Sequence, residues 1–552
     1  MKKDYIGKTP EEILELMPLE KKAAQVLSSG FCCYDEVKTA MELGIGAMTA
    51  MWGNKREDAD RFKKDVERFQ KEADIPFLIG VDMETGVGQT VHVEDYATEF
   101  PDQMSLGAIA DEEEGKRLAY LEGKVIRNEA VNLGWNLTYG PVADVNINPA
   151  NPITNVRSVG ENPDHVSAIT SEIIRGMQEY GDFCACAKHF PGAGMQSSDS
   201  HFSLEKTNSS KEEMEAIHLK PFKNAVRNGI GAFMTNHAIY PMFDDINVAT
   251  TSRAVITGVA REELGFEGII LTDAMAMTGL TAQDGDDRHM GTIRAIAAGC
   301  NVILGPYDVW NAPAAISKAV RDGKLSEDVL NLAVLRVLRT KQRLGLFDNK
   351  KGPVEKLNGW EISKQIAEKS VTLIRDRDNI IPVDFTSMND VMVMEPTHPG
   401  HKLSFGLYTN QTLIAETLHK DVPIAKLALI SQEVAPELEN ELIEKASKAD
   451  IVIVGTSFRS HSGQVGLLTE QQIAVVEKIV RLGKKVIAVV SNPYVAAQLP
   501  FVGTVICCYS TSKVSVQAAS DVILGRLEPK GKLPVTIPDS MDSGNIEIVS
   551  HG

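Results

Sequence analysis

The chain has 552 residues, 43% of them hydrophobic and 24% charged, with a formal net charge of −18. A sequence pI near 5.2 excludes nucleic acid and anionic membrane as partners, because both require a basic face. The length exceeds one ordinary domain, and no apolar run is long enough to span a bilayer.

The N-terminus opens on Met1-Lys2-Lys3-Asp4-Tyr5 and enters a polar, helix-like stretch at Thr9–Met17, ended by Pro18. It lacks the apolar core of a secretion signal, so the expected location is cytoplasmic. The chain has 7 cysteines. Cys32-Cys33 and Cys507-Cys508 are adjacent, and Cys184 and Cys186 alternate on an expected strand. None makes a C-x-x-C pair with a matching partner, so buried, reduced thiols are expected rather than zinc or redox chemistry.

Short apolar runs then alternate with amphipathic stretches, the pattern of βα units. Strands are expected at Ala24–Leu27, Gly44–Ala50, Pro76–Asp82, Asn136–Val145, Cys184–Phe190, Ala232–Tyr240, Gly268–Asp273 and Asn301–Leu304. That makes about eight before a helix at Glu327–Leu344, the span of a (β/α)8 barrel. Several runs end in polar residues: Asp82, Asp144, Lys188-His189, Asn236-His237 and Asp273. Barrel enzymes carry their chemistry at the carboxyl ends of the strands. The expected organisation is a catalytic barrel over 1–348, a polar linker over 349–360, and a smaller αβα sandwich over 361–552. In the last, strands are expected at Ser370–Ile374, Asp390–Met394, Ile451–Val454, Lys485–Val490 and Thr504–Cys508, with a helix at Glu470–Leu482.

Two stretches invite chemistry. Lys188-His189-Phe190-Pro191-Gly192-Ala193-Gly194 reads as a strand leaving into a loop, followed by Asp199-Ser200-His201. Two residues apart in an extended loop, Asp199 and His201 share a side. A carboxylate there fixes the imidazole tautomer and favours its protonated form, which suits a group that donates and recovers a proton. The same pair could simply tie a loop down. In Gly268-Ile269-Ile270-Leu271-Thr272-Asp273 an apolar strand ends in a carboxylate, either a nucleophile for an anomeric carbon or the cap of the next helix. Lys188 at a strand end admits a Schiff-base lyase as an alternative. Asp82, Asp144, Arg157 and His237 are rim candidates for holding hydroxyls, though each alone is more often a structural hydrogen-bonding residue than a ligand. Ser460-His461-Ser462-Gly463 is a polar loop, read as solvated, or else as supporting a homodimer or a subsite. No metal-ligand cluster and no convincing phosphate-binding glycine loop is visible, so no cofactor is expected.

Taken together, these stretches resemble glycoside hydrolase family 3 over nearly the whole chain. Leu19-Glu20-Lys21-Lys22, Val81-Asp82-Met83-Glu84-Thr85-Gly86, Gly140-Pro141-Val142-Ala143-Asp144-Val145 and Arg157-Ser158-Val159-Gly160-Glu161-Asn162-Pro163 follow the family's order. So do Lys188-His189-Phe190-Pro191-Gly192, Leu271-Thr272-Asp273, Leu344-Gly345-Leu346-Phe347 and Lys532-Leu533-Pro534-Val535-Thr536-Ile537-Pro538. Asp199-Ser200-His201 resembles the β-N-acetylglucosaminidase branch. The resemblance implies a retaining exo-β-glycosidase, with Asp273 as nucleophile and His201 as acid/base oriented by Asp199. It implies that Asp82, Arg157, Lys188, His189 and His237 hold the terminal sugar. The implied substrate is terminal N-acetylglucosamine on muropeptide or chito-oligosaccharide fragments, as in cell-wall recycling. Three departures touch the sugar site and spare the catalytic groups. Ala193 stands where the branch has histidine, Thr85-Gly86-Val87-Gly88 lacks its arginine, and Ala274 replaces a second aspartate. A β-glucosidase, a phosphorylase favoured by a donor that is neutral after giving up its proton, and a silent sugar-binding protein remain the alternatives.

Overall fold

The computed structural model describes residues 5–31, 33–49, 56–91, 96–283, 288–348, 350–396, 413–456 and 467–539. Cys32, Ala50 and the Ser460–Gly463 loop lie outside the described residues. Contacts cluster into two units: residues 1–98, 119–145 and 166–358 form the first, and 99–118, 146–165 and 359–552 the second.

The first unit is a parallel barrel. Its strands are Leu27–Gly30, Ala47–Thr49, Leu78–Val81, Leu137–Thr138, Cys186–Phe190, Ala232–Thr235, Ile269–Leu271 and Ile303–Leu304. Each pairs in parallel with the next, single bridges Leu137–Cys184 and Leu271–Val302 join the two sheets, and Leu27 pairs with Ile303 to close the ring. Ala47, Leu78, Leu137, Cys186, Ala232, Met234, Ile269 and Leu271 pack in one apolar cluster. Closure leaves no sheet edge, and the strand ends gather the polar residues at one rim.

Three sequence expectations need correction here. Ala24 and Gln25 belong to the helix Leu19–Gln25, and the first strand starts only at Leu27. Helix-favouring Lys21-Lys22-Ala23-Ala24 outweighs an apolar run too short to fix its own type. The fourth strand is confined to Leu137–Thr138, since Pro141 has no N–H to offer the ladder. The Ala232–Tyr240 run breaks at Asn236-His237. Its second half, Ala238–Tyr240, joins a small sheet with Glu205–Lys206 and Asp244–Val248.

The cysteines also differ in one respect. Cys184, Cys186, Cys300, Cys507 and Cys508 are buried and free, whereas Cys33 is free but exposed. Among the described residues no helix is long and apolar enough to cross a membrane.

Residues 350–358 have no regular structure, yet they are strapped to the barrel unit. Gly352 N–H donates to Asp182 Oδ2 at 2.8 Å, and Arg127 donates to the carbonyl of Pro353. Lys124 Nζ pairs with Glu355 at 2.5 Å. Asp182 also takes the buried Arg127 guanidinium in a two-pronged pair through Nε and Nη2. Removing one partner of a buried pair leaves the other charge uncompensated. Asp182→Ala is therefore expected to cost about 3–5 kcal/mol, read as a lower denaturant midpoint. An unchanged midpoint would show that the Asp182 bonds to Arg127 and Gly352 contribute nothing.

The second unit is an αβα sandwich. Its sheet runs Thr372–Asp376, Thr504–Cys507, Lys485–Val490, Ile451–Thr456, Val391–Pro396, Ala425–Ile430, parallel except for the first pair. Alternation splits each central strand between two cores. Met392, Val452, Val454, Val486 and Val505 face Leu442, Val475 and Ile479. Val391, Val393, Ile451, Ile453 and Ile487 face Leu418, Val516 and Val522. Such strands, apolar on both faces, are the signature of a covered parallel sheet. The edge strand Ala425–Ile430 escapes sequence detection because Lys426, Leu427 and Leu429 are exposed and no clean period survives. Residues 99–118 and 146–165 join this unit through Met104, Ala108 and Val156 in its core. Glu161 further accepts from Thr536 N and Oγ1 at 2.8 and 2.6 Å.

Candidate active site

The Cys186–Phe190 strand delivers Lys188 and His189 to the rim. Lys188 is buried, and its Nζ lies 2.7 Å from Asp82 Oδ1 and 2.6 Å from Glu84 Oε1. Two carboxylates favour the ammonium ion. A Schiff base needs the neutral amine, so this arrangement does not suit the lyase alternative. Glu84 has no role in the sequence reading. Its signal was available, since it lies two residues beyond Asp82 and so on the same side of an extended segment.

His189 is fixed by Asp144. The fully buried carboxylate accepts from His189 Nδ1 at 2.7 Å and from the N–H groups of His189 and Ala193 at 3.1 and 2.7 Å. A carboxylate can only accept here, so Nδ1 carries the proton and Nε2 is the nitrogen left for a ligand. Asp144 thus orients a ring and a loop, in keeping with the structural reading its position also allowed. Gly192 turns the loop with φ 127. A Cβ there would meet His218 Cβ at 2.8 Å, so only glycine fits.

The loop then presents Asp199 and His201 together. Asp199 Oδ1 accepts from His201 Nδ1 at 2.6 Å and from His201 N at 2.8 Å. Asp199 is buried and His201 half-buried. By the same donor argument Nδ1 holds a proton, and Nε2 is the exchanging nitrogen. The loop docks on the segment just after Asp273: Gly279 N donates to Ser200 O at 2.9 Å, and Thr278 N to His201 O at 3.3 Å. A Cβ at Gly279 would lie 2.6 Å from His237 O and 3.0 Å from Ser200 O, so a side chain there would lift the loop.

His237 occupies the break in the Ala232–Tyr240 run and is fully buried. Its Nε2 donates to Ala274 O at 3.1 Å, so in the neutral ring Nδ1 accepts from Thr250 Oγ1 at 2.7 Å. Burial pushes its pKa down against the opposing pull of Asp273. His237 therefore props the Asp273–Ala274 turn from behind as a neutral ring.

Asp273 is half-buried one residue past Thr272. Its Oδ1 accepts from Ala274 N at 2.7 Å. The N-cap alternative does not describe it, because the next helix is Thr278–Thr281 with Met277 at its cap. Burial raises the carboxyl, but His189, His201 and Lys188 outweigh it and hold Asp273 below its ordinary value. An ionised carboxylate among protonatable donors can stabilise or attack a positively charged carbon.

The barrel unit thus brings together Asp82, Lys188, His189, Asp199, His201, His237 and Asp273. Arg157 belongs to the second unit, where its Nη1 donates to Ile153 O at 2.8 Å. Among the described residues no group of three or more His, Cys, Asp and Glu side chains is arranged to hold a metal ion.

Known proteins share this architecture. Residues 19–340 match the glycosyl hydrolase family 3 N-terminal domain, and residues 371–550 match the family's C-terminal domain. A beta-N-acetylglucosaminidase/beta-glucosidase of Cellulomonas fimi is 26% identical over 495 residues, covering 85% of each chain. The structure of a glycoside hydrolase family 3 beta-N-acetylglucosaminidase from Paenibacillus sp. FPU-7 superposes with a TM-score of 0.81 at 27% identity, covering 95% of this chain and 99% of that one. The beta-glucoside phosphorylase BglX shares the fold, with a TM-score of 0.81 at 24% identity, covering 96% of this chain and 95% of that one. This chain belongs to glycosyl hydrolase family 3 and is a glycoside hydrolase.

Proposed function

We propose that the protein is a retaining exo-β-N-acetylglucosaminidase that removes terminal N-acetylglucosamine from chito-oligosaccharide or muropeptide fragments. The observation that carries this reading is the pairing of two elements. Asp273 is held below its usual pKa, and an Asp199–His201 donor is docked on the residues following it. Similarity to the Cellulomonas and Paenibacillus enzymes supports the sugar.

In the first step Asp273 attacks the anomeric carbon, the glycosidic C–O bond breaks, and the leaving oxygen takes the proton from His201 Nε2. In the second, water gives a proton to Nε2 and its oxygen displaces Asp273 from the anomeric carbon. Two inversions give net retention. Asp199 holds the ring and stabilises the imidazolium between turnovers. Asp82, His189 and the ammonium of Lys188 grip hydroxyls of the terminal sugar.

The test is release of 4-nitrophenol from its β-N-acetylglucosaminide and its β-glucoside. Preference for the N-acetyl substrate supports the reading. Preference for the glucoside moves the substrate and keeps the chemistry, and no turnover of either overturns both. Repeating the assay in phosphate separates hydrolysis from phosphorolysis: free sugar means water is the acceptor, and a sugar 1-phosphate means phosphate is.

A further inference from the structure

The loop that carries His201 also exposes two large apolar side chains that the chemistry above does not use. Phe202 is 41% exposed and Leu204 38% exposed, while Asp199 and Ser200 of the same loop are buried. Single exposed apolar side chains are ordinary on protein surfaces, so it is the place of Phe202 beside the acid, and not its exposure, that bears on function.

Phe202 is positioned by the residue that positions the acid. Asp199 binds the His201 ring through Oδ1, and its carbonyl accepts from Phe202 N and Ser203 N, both at 3.0 Å. Ser203 Oγ adds a third bond to that carbonyl at 3.2 Å. The phenyl ring centre lies 6.2 Å from the imidazole centre, with 44° between planes. Acid and aromatic ring therefore form one unit, pinned to the segment after Asp273 by Ser200 O and His201 O.

Chemistry says what belongs beside that unit. A general acid must reach the oxygen it protonates, within about 3 Å. Whatever is attached to that oxygen then lies about one sugar ring from the imidazole. A pyranose offers an apolar C–H face, and an aromatic ring is its natural platform.

We propose that Phe202 forms the wall of the leaving-group subsite and selects substrates whose leaving group is a hexopyranose ring. This rests on the glycosidase reading above and adds the side of the molecule that reading leaves open. The acid loop thereby couples proton donation to recognition of the group that receives the proton.

The test compares two substrates with the same terminal sugar: N,N′-diacetylchitobiose, whose leaving group is a sugar ring, and methyl N-acetyl-β-glucosaminide, whose leaving group needs the proton but has no ring. In Phe202→Ala, kcat/KM for the disaccharide is expected to fall about tenfold, a typical loss for one stacking contact, mostly through KM. The methyl glycoside should be unaffected, and Phe202→Trp should restore the disaccharide. An equal fall on both substrates would mean that Phe202 merely supports His201 and would overturn the proposal. No change on either would overturn it too, leaving the apolar pair to some other partner. Failure of the wild-type protein to cleave either substrate would instead sink the glycosidase reading.

Discussion

Asp273→Ala is expected to abolish turnover of N-acetyl-β-glucosaminides while leaving the fold intact, with a fall in kcat on the order of 10³-fold or more. The carboxylate is asked to do two things at once: form the bond to the anomeric carbon and offset the positive charge of the oxocarbenium-like transition state. Alanine does neither, and water cannot fill the position with equal nucleophilicity. Asp273→Asn keeps the shape and loses the charge, so it should fail almost as completely. His189, His201 and Lys188 hold Asp273 below its ordinary pKa. The acid limb of the pH profile should therefore not come from this group in mildly acidic solution. Mass spectrometry offers an independent reading: a slow 2-fluoro-glycoside should leave a covalent adduct on the wild-type protein and none on Asp273→Ala. Full activity in the alanine variant would remove Asp273 from the mechanism altogether.

The barrel was legible because its strands are short apolar runs ending in polar residues, and closure needs no special residue beyond that rhythm. What the sequence hid was where each run stops. Pro141 and the Asn236-His237 break end strands that hydrophobicity alone would continue. The break aims the neutral His237 ring at the carbonyl beside Asp273. Segments 99–118 and 146–165 sit between barrel strands in sequence yet pack into the other unit. No local pattern announces that, since Met104 and Val156 look like core residues of either. Within the site, Asp199 and His201 were readable from a two-residue spacing that bonds as expected. The role of Asp144 was not, because it works across the rim on His189, 45 residues away in sequence. Glu84 went unassigned because Lys188 was read as a single ligand rather than as an ammonium held between two carboxylates.

The second large effect is expected at the acid pair, and its size should depend on the leaving group. For His201→Ala, kcat/KM should fall by about 10²–10⁴-fold on a disaccharide, the range removed with a general acid. A 2,4-dinitrophenyl glycoside departs without a proton, so its first step should be nearly spared, and its overall rate should fall only where the second step needs a base. Added azide should then rescue that second step as an external nucleophile and yield a β-glycosyl azide. For Asp199→Asn the ring keeps a hydrogen-bond partner at Nδ1 but loses a negative charge 2.6 Å away. The protonated imidazole is the form that starts the reaction, and the missing charge makes it easier to deprotonate. The alkaline limb of the pH profile should therefore move to lower pH, with a smaller loss of rate than in His201→Ala. An unshifted limb would mean that Asp199 acts only by fixing geometry. A limb that survives in His201→Ala would assign the acid to another group. Because Asp199 also anchors the backbone of Phe202 and Ser203 through its carbonyl, which the asparagine retains, the substitution isolates charge from loop position. That is why the direction of the pH shift, more than the loss of rate, decides what the pair does.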